Sequence, residues 1–190
     1  MTYCQFAATL SADSTDPNKH YHHHVYGFSV EADNELFARL VLEINQAGLS
    51  WTTILKKWQG FYQAYAQFDI ATVAAFNDED MARLLADASI IRNRLKVQAA
   101  VYNAQQIMGL QQEYGSFKTW LDHHHPLDKN AWVKLFKKHF KFVGGEIVNE
   151  FLMSTGYLAG AHEESCPVLS QVLASKPLFA QTPLQDDTPC

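Results

Sequence analysis

Apolar residues recur at helical spacing along most of this 190-residue chain, and no strand pair with a hairpin pattern stands out. Leu36, Leu40 and Ile44 form one such stripe. The stripe predicts a helix over residues 34–47, with Asp33 as its N-cap and Gly48 as its end. An all-α single domain follows from this pattern. Further helices are predicted over residues 51–68, 77–85, 92–113, 130–140 and 145–156, and residues 1–32 are predicted to be irregular.

The chain is long enough for one compact domain with a sizeable core. After Pro167 it has few periodic residues and several Ser, Pro and Asp. We therefore expect a single domain over residues 1–167 and a loosely ordered tail over residues 168–190. No apolar run approaches the roughly 18 residues of a membrane span, and the start lacks a signal-peptide pattern. These features predict a cytoplasmic protein without membrane association.

The spacing of Cys and His residues suggests a metal site. His162 and Cys166 stand four residues apart, and Cys4 and His22 can supply a second pair. Two Cys and two His form a ligand set that zinc prefers in closed structural sites. Buried free cysteines with unrelated histidines are the alternative. Three neighbouring histidines compete with His22 for the ligand role: His20, His23 and His24.

Longer segments of the sequence carry a family resemblance. They read LEINQAGLSWTTILKK at 42–57, DASIIRNRLKVQA at 87–99 and FKFVGGEI at 140–147. In order and spacing they resemble the bacterial DNA-3-methyladenine glycosylase I family. The resemblance implies an all-helical domain of the helix-hairpin-helix glycosylase class. It also implies one structural zinc that ties the N- and C-terminal segments together, held by Cys4, His22, His162 and Cys166.

The same resemblance assigns the chemistry. Glu43 lies on the apolar face of its helix, where it either pairs with Arg39 one turn earlier or serves as a pocket acid. The family's base-recognising Glu matches Glu43, and no second carboxylate stands out as a base for the attacking water. The family is monofunctional and hydrolyses the N-glycosidic bond of 3-methyladenine flipped out of double-stranded DNA. Four aromatic residues are either core residues or walls of the base pocket: Phe6, Tyr21, Tyr26 and Trp51.

A net charge of −5 means that any contact with DNA uses a local patch. Leu49 in the turn after Gly48 is a candidate wedge for the gap left by a flipped base, or else a core residue. Backbone N–H groups near Gly144, at the start of a helix, could bind a phosphate. Three basic residues between two predicted helices either contact the DNA backbone or form a solvated face: Arg92, Arg94 and Lys96.

The chain departs from the family around the first zinc histidine. His23 and Val25 replace an Asp and a Glu, and Tyr26 stands where Trp is common. These changes leave the substrate range and the activity open. The alternatives to a glycosylase are a non-catalytic binder of modified bases or DNA, and a zinc-stabilised helical interaction domain. No protein partner is implied.

Overall fold

The computed structural model describes residues 1–11 and 13–181, and within these ranges the chain is helical without β-strands. This confirms the predicted all-α class. The helices are α1 (Tyr3–Ala8), α2 (Pro17–His24), α3 (Asp33–Gln46), α4 (Trp51–Lys56), α5 (Trp58–Ala64), α6 (Ile70–Ala74), α7 (Asp78–Ala86), α8 (Arg94–Tyr114), α9 (Phe117–His124), α10 (Lys129–His139), α11 (Gly145–Ser154) and α12 (Leu169–Ala174), with 3-10 turns at Ala66–Phe68 and Leu178–Ala180.

Helix α3 lies at the centre of the domain. It contacts α4, α8, α9 and α11, and every residue from Leu36 to Asn45 is buried. A helix segment buried on all sides must be apolar nearly all round, and the stretch from Leu36 to Asn45 departs from this only at Arg39, Glu43 and Asn45. The polar groups of α3 are therefore held in a rigid frame, close to where the chain turns at Gly48.

Asp33 has a different task from the predicted one. Ala32 occupies the N-cap of α3 and makes no side-chain cap hydrogen bond. The Asp33 carboxylate instead accepts hydrogen bonds from the backbone N–H groups of Phe117 and Lys118, at 2.8 and 2.9 Å. Since these groups open α9, Asp33 caps α9 and joins it to the start of α3.

The prediction of an irregular segment over residues 1–32 is wrong, because α1 and α2 form there. Thr2 makes a capping box with Gln5, and the Asp16 side chain caps α2 immediately before Pro17. Helices of six and eight residues are too short to display a clear apolar period. Their caps were the sequence features that marked them.

The helix predicted over residues 51–68, with an interruption at Gly60, is broken at other positions. Helix α4 ends at Lys56 and α5 begins at Trp58, so Gly60 lies inside α5, and Gln67 has a positive φ of 58° inside the 3-10 turn that follows. Apolar spacing continued across these breaks, so the pattern alone did not locate them.

The chain after Pro167 differs from the predicted loose tail. Helix α12 forms there, and Val168 and Val172 are buried against Cys4 and Cys166. Two apolar side chains suffice to dock so short a helix, which is fewer than a periodic pattern needs. The rest of the predicted tail, residues 182–190, lies outside the described residues. Within the described ranges, no helix combines the length and the apolar character that crossing a membrane requires.

Candidate active site and metal centre

Five helices converge on a cavity of about 380 Å³ beside the C-terminal half of α3. Helices α1 and α2 form one side, α4 and α11 the others, and Glu43 reaches it from α3. The cavity combines aromatic rings with carboxyl groups. Its lining residues are Tyr3, Tyr21, Tyr26, Glu43, Gln46, Trp51, Glu146 and Glu150.

The aromatic side chains of the cavity contact one another. The ring of Tyr21 lies 4.9 Å from that of Trp51 and 5.6 Å from that of Tyr26, measured between centroids. The Tyr21 hydroxyl and the Trp51 Nε1–H are buried and have no hydrogen-bond partner within the described part of the chain. Buried polar groups are nearly always paired, so these two donors in the cavity wall are available to a bound ligand.

Glu43 is 5% exposed and accepts no hydrogen bond from the described residues. Burial, and then the nearby Glu150 carboxyl, raise the pKa of Glu43 to about 8. The alternative ion pair with Arg39 is not formed. Arg39 donates to Glu35 at 2.9 Å and to the Val25 carbonyl at 3.3 Å. Of the two predicted roles, the surroundings of Glu43 favour a pocket acid over an ion pair with Arg39.

Two carboxyl groups of α11 also line the cavity, although the sequence had pointed to no second carboxylate. Glu150 is half-buried, and its Oε2 accepts a hydrogen bond from the Tyr26 hydroxyl at 3.0 Å. Burial raises the pKa of Glu150. Glu146 lies one turn earlier, is exposed and pairs with Lys129 at 3.0 Å. The i, i+4 spacing of the two Glu residues was the available hint that they share a helix face.

Phe6 does not line the cavity, which corrects its predicted place in the base pocket. Tyr3 lines it instead, and the Phe6 ring stacks on the Tyr3 ring at 6.3 Å between centroids. The two residues stand three apart on one face of α1, a relation that could not be inferred while this segment was predicted to be irregular. Tyr21, Tyr26 and Trp51 all line the cavity.

The departures at His23 and Val25 do not reach this cavity. Nδ1 of His23 lies 2.8 Å from the Lys19 carbonyl within α2. Val25 contributes to a separate cavity on the other side of Tyr21. The lining of the candidate site is therefore untouched by these two changes.

Most of the predicted DNA-contacting residues are exposed. Gly48 adopts a φ of +83°, which favours glycine, and turns the chain so that Leu49 is 39% exposed. Arg92 is exposed between α7 and α8, Arg94 is exposed at the start of α8, and Gly144 is the N-cap of α11.

Lys96 is the exception and corrects the prediction of a phosphate contact. It is 5% exposed, and its Nζ donates to the carbonyls of Asn45 and Ala47 at 2.8 and 2.7 Å. These carbonyls belong to the C-terminal end of α3, where a cation is favoured by the helix dipole. Lys96 therefore holds the end of α3 and the turn at Gly48 in place.

The four predicted metal ligands come together. Cys4 and Cys166 are buried, as are His22 and His162, and their ligand atoms all lie within 4.8 Å of one another. Sγ of Cys4 is 3.7 Å from Nδ1 of His162, and Sγ of Cys166 is 3.7 Å from Nε2 of His22. Zinc bonds of about 2.0–2.3 Å in a tetrahedron give ligand–ligand edges of about 3.3–3.8 Å. The two S–N distances of 3.7 Å fall in this range, and the overall span of 4.8 Å is wider, so the four residues could close around a metal ion with a small contraction.

The surroundings of the histidines also suit metal binding. Nε2 of His162 lies 2.8 Å from the Tyr26 carbonyl, which leaves Nδ1 free to bind a metal. Burial lowers the pKa of His22 to about 4, so its imidazole is neutral, as a ligand must be. Tyr21 and Tyr26 lie in the cavity next to these groups, so the metal-ligand cluster and the cavity share one framework.

Comparison with known proteins agrees with this geometry. The methyladenine glycosylase family model matches residues 11–133. DNA-3-methyladenine glycosylase 1 of Escherichia coli K12 is 34% identical over 165 residues, which cover 77% of this chain and 88% of the relative. The Haemophilus influenzae DNA-3-methyladenine glycosylase is 28% identical over 166 residues, covering 77% and 89%.

Solved structures give the same result. The 3-methyladenine DNA glycosylase I from Staphylococcus aureus superposes with a TM-score of 0.75 at 31% identity, covering 88% of this chain and 97% of that one. A variant of 3-methyladenine DNA glycosylase I solved in complex with 3-methyladenine gives the same values. By sequence and by fold, this chain belongs to the methyladenine glycosylase family.

Proposed function

We propose that this protein is a DNA glycosylase that hydrolyses the N-glycosidic bond of 3-methyladenine in alkylated double-stranded DNA. The observation that carries the proposal is the buried Glu43 carboxyl group, which lacks a partner among the described residues and lines an aromatic cavity. A volume of about 380 Å³ is ordinary for a small-molecule site. The names of the relatives and the solved complex with 3-methyladenine support this substrate.

The chemistry follows from the charge of the lesion. A 3-methyladenine nucleotide is cationic, so its base is attracted to aromatic faces and to carboxylates. The enzyme extrudes the nucleotide and places the base in the cavity against the rings of Tyr21 and Trp51. Glu43 ionises beside the cation and accepts a hydrogen bond from it. When the glycosidic bond breaks, its electron pair neutralises the leaving base, and water adds to the sugar carbon and loses a proton.

A local surface binds the DNA backbone of the otherwise acidic protein. Arg92, in the segment over residues 87–93 that joins α7 to α8, and Arg94, the first residue of α8, are directed to phosphates. Backbone N–H groups after Gly144 contribute at the start of α11. Leu49 at the exposed turn fills the gap left by the extruded nucleotide.

The metal-ligand cluster would hold one structural zinc ion. Cys4, His22, His162 and Cys166 would supply all four ligands that zinc takes in a closed site, so no position would be left for a reacting water. The ion would join α1 and α2 to the segment that precedes α12. The reaction does not pass through it.

An excision assay tests the proposed activity. The protein is incubated with methylated duplex DNA, and free 3-methyladenine is measured by chromatography. Glu43→Gln removes the charge at nearly constant volume, and we expect it to lower the rate about 100-fold. Glu79→Gln, at an exposed position of α7, is the matched control and should retain full activity.

The outcomes separate the candidate functions. Full base release by Glu43→Gln would contradict the role of this carboxyl group. Binding of 3-methyladenine by the unmodified protein without any release would indicate a non-catalytic binder. If the protein neither binds 3-methyladenine nor releases it from DNA, the remaining candidate function is a zinc-stabilised helical interaction domain.

A further inference from the structure

Resting on the proposed function, we propose that Glu150 is a second base-binding residue that makes the cavity select purines carrying a positive charge. Glu150 belongs to α11, and Glu43 belongs to α3. The two helices pack together, and both carboxyl groups line the same cavity. The site thus has an acidic side that no single helix supplies.

The orientation of Glu150 is fixed by Tyr26. The Tyr26 hydroxyl donates to Oε2 at 3.0 Å, whereas Oε1 has no partner within the described ranges. One carboxylate oxygen therefore anchors the side chain and the other can face a bound base. Glu146 differs, because it is exposed and its charge is paired with Lys129.

No basic side chain lies in the cavity beside the two carboxyl groups. Among the described residues, the lining of the cavity includes no Lys, Arg or His. Arg39 lies behind Tyr21, with its guanidinium 5.8 Å from the ring centroid, and is bound to Glu35 and to a backbone carbonyl. The cavity therefore requires protons or a cationic ligand to be neutral.

A cationic purine meets this requirement and a neutral purine does not. The cation allows Glu43 and Glu150 to ionise together, since it lies close to both. A neutral base leaves the carboxyl groups protonated or mutually repelling. Glu150 thus adds preference for charge to the shape selection given by Tyr21 and Trp51.

Binding of two small probes tests this inference independently of turnover. One probe is the 3,9-dimethyladeninium ion, which carries a fixed charge and resembles the alkylated nucleoside. The other is 3-methyladenine at pH 8, where the free base is neutral. Calorimetric titration gives both dissociation constants for the unmodified protein, Glu150→Gln, Glu150→Asp and the control Glu79→Gln.

We expect Glu150→Gln to weaken binding of the cation about tenfold and that of the neutral base less than about twofold. Glu150→Asp keeps the charge and should retain most of the preference. Gln retains an oxygen that can accept the Tyr26 hydrogen bond, so folding is preserved, as thermal unfolding will verify. Glu79→Gln changes the net charge equally and should leave both constants unchanged.

Three outcomes would overturn the assignment of Glu150. Glu150→Gln could weaken the binding of both probes equally or weaken neither, or the unmodified protein could bind neither probe. Failure of the glycosylase proposal looks different. In that case the charge preference depends on Glu150, but no base is released from methylated DNA.

Discussion

Glu43 is a carboxyl group that folding removes from water without supplying a cation to pair with it. Its nearest basic residue along the helix, Arg39, is bound elsewhere. Ionisation of Glu43 therefore destabilises the folded protein as long as no positively charged ligand occupies the cavity. This effect ties the stability of the free protein to pH.

The sign of the pH dependence follows from the pKa of Glu43. This pKa is about 8 in the folded protein and near 4.5 when the residue is exposed. Between these values the folded state holds a proton that the unfolded state has lost, so stability falls as pH rises. Glu43→Gln should gain stability relative to the unmodified protein by about 3 kcal/mol between pH 5.5 and 8.

Urea denaturation at the two pH values measures this difference. Comparing the variant with the unmodified protein cancels the contributions of the other titrating groups, including the histidines. If the difference in the free energy of unfolding between Glu43→Gln and the unmodified protein does not vary with pH, Glu43 is already ionised in the free protein.

Single residues also show the limits of sequence reasoning. Glu43, Tyr21 and Trp51 could be placed in a pocket because the resemblance covers their segments. Glu150 could not, since it lies more than 100 positions from Glu43 and reaches the cavity through the packing of α11 on α3. Lys96 resembled a phosphate contact because its burial is decided by the partner helix rather than by its neighbours in sequence.

At the scale of elements, the end of α3 and the turn after it depend on α8. Lys96 near the start of α8 donates to two carbonyls at the end of α3 and fixes the direction in which Gly48 and Leu49 leave the helix. The proposed wedge is thus positioned by a helix that is distant in sequence.

Replacing Lys96 with Met should test this support. The variant leaves two carbonyl groups without their donor, and we expect a loss of about 2–3 kcal/mol in the free energy of unfolding. The exposed Arg94 is the matched control. Arg94→Met should change stability by less than about 0.5 kcal/mol and instead weaken binding to duplex DNA.

Urea denaturation and the salt dependence of DNA binding distinguish the two variants. If Lys96→Met leaves the stability unchanged and reduces the salt dependence of DNA binding, Lys96 contacts a phosphate, as the sequence analysis predicted.

Long helices could be predicted from the sequence, and short helices could not. Helices α3 and α8 run for 14 and 21 residues, long enough for an apolar period to appear. Helices α1, α2 and α12 are six to eight residues long. Side-chain caps stabilise α1 and α2, whereas α12 lacks a side-chain cap and packs against Cys4 and Cys166 through Val168 and Val172. Because α1 and α2 form one side of the cavity, the site was less predictable than the central helices.

At the scale of the whole molecule, the metal-ligand cluster connects the two ends of the described chain to the candidate active site. Cys4 and His22 come from α1 and α2, and His162 and Cys166 come from the segment before α12. The same helices carry Tyr3 and Tyr21 into the cavity. Loss of the metal should therefore loosen one wall of the cavity without removing Glu43 or Trp51.

Removal of the metal is the corresponding test. Elemental analysis of the purified protein should give about one zinc per chain, and Cys166→Ala should abolish it. We expect chelation to lower the midpoint of thermal unfolding by about 10 °C, because the ion joins segments that are remote in sequence. His24→Ala, an exposed histidine of α2, should retain both the zinc and the unfolding temperature. A metal-free protein that unfolds at the same temperature would contradict the structural role of the ion. If the chelated protein keeps its thermal stability but no longer releases the base, the metal takes part in the reaction and does not serve as a structural ion.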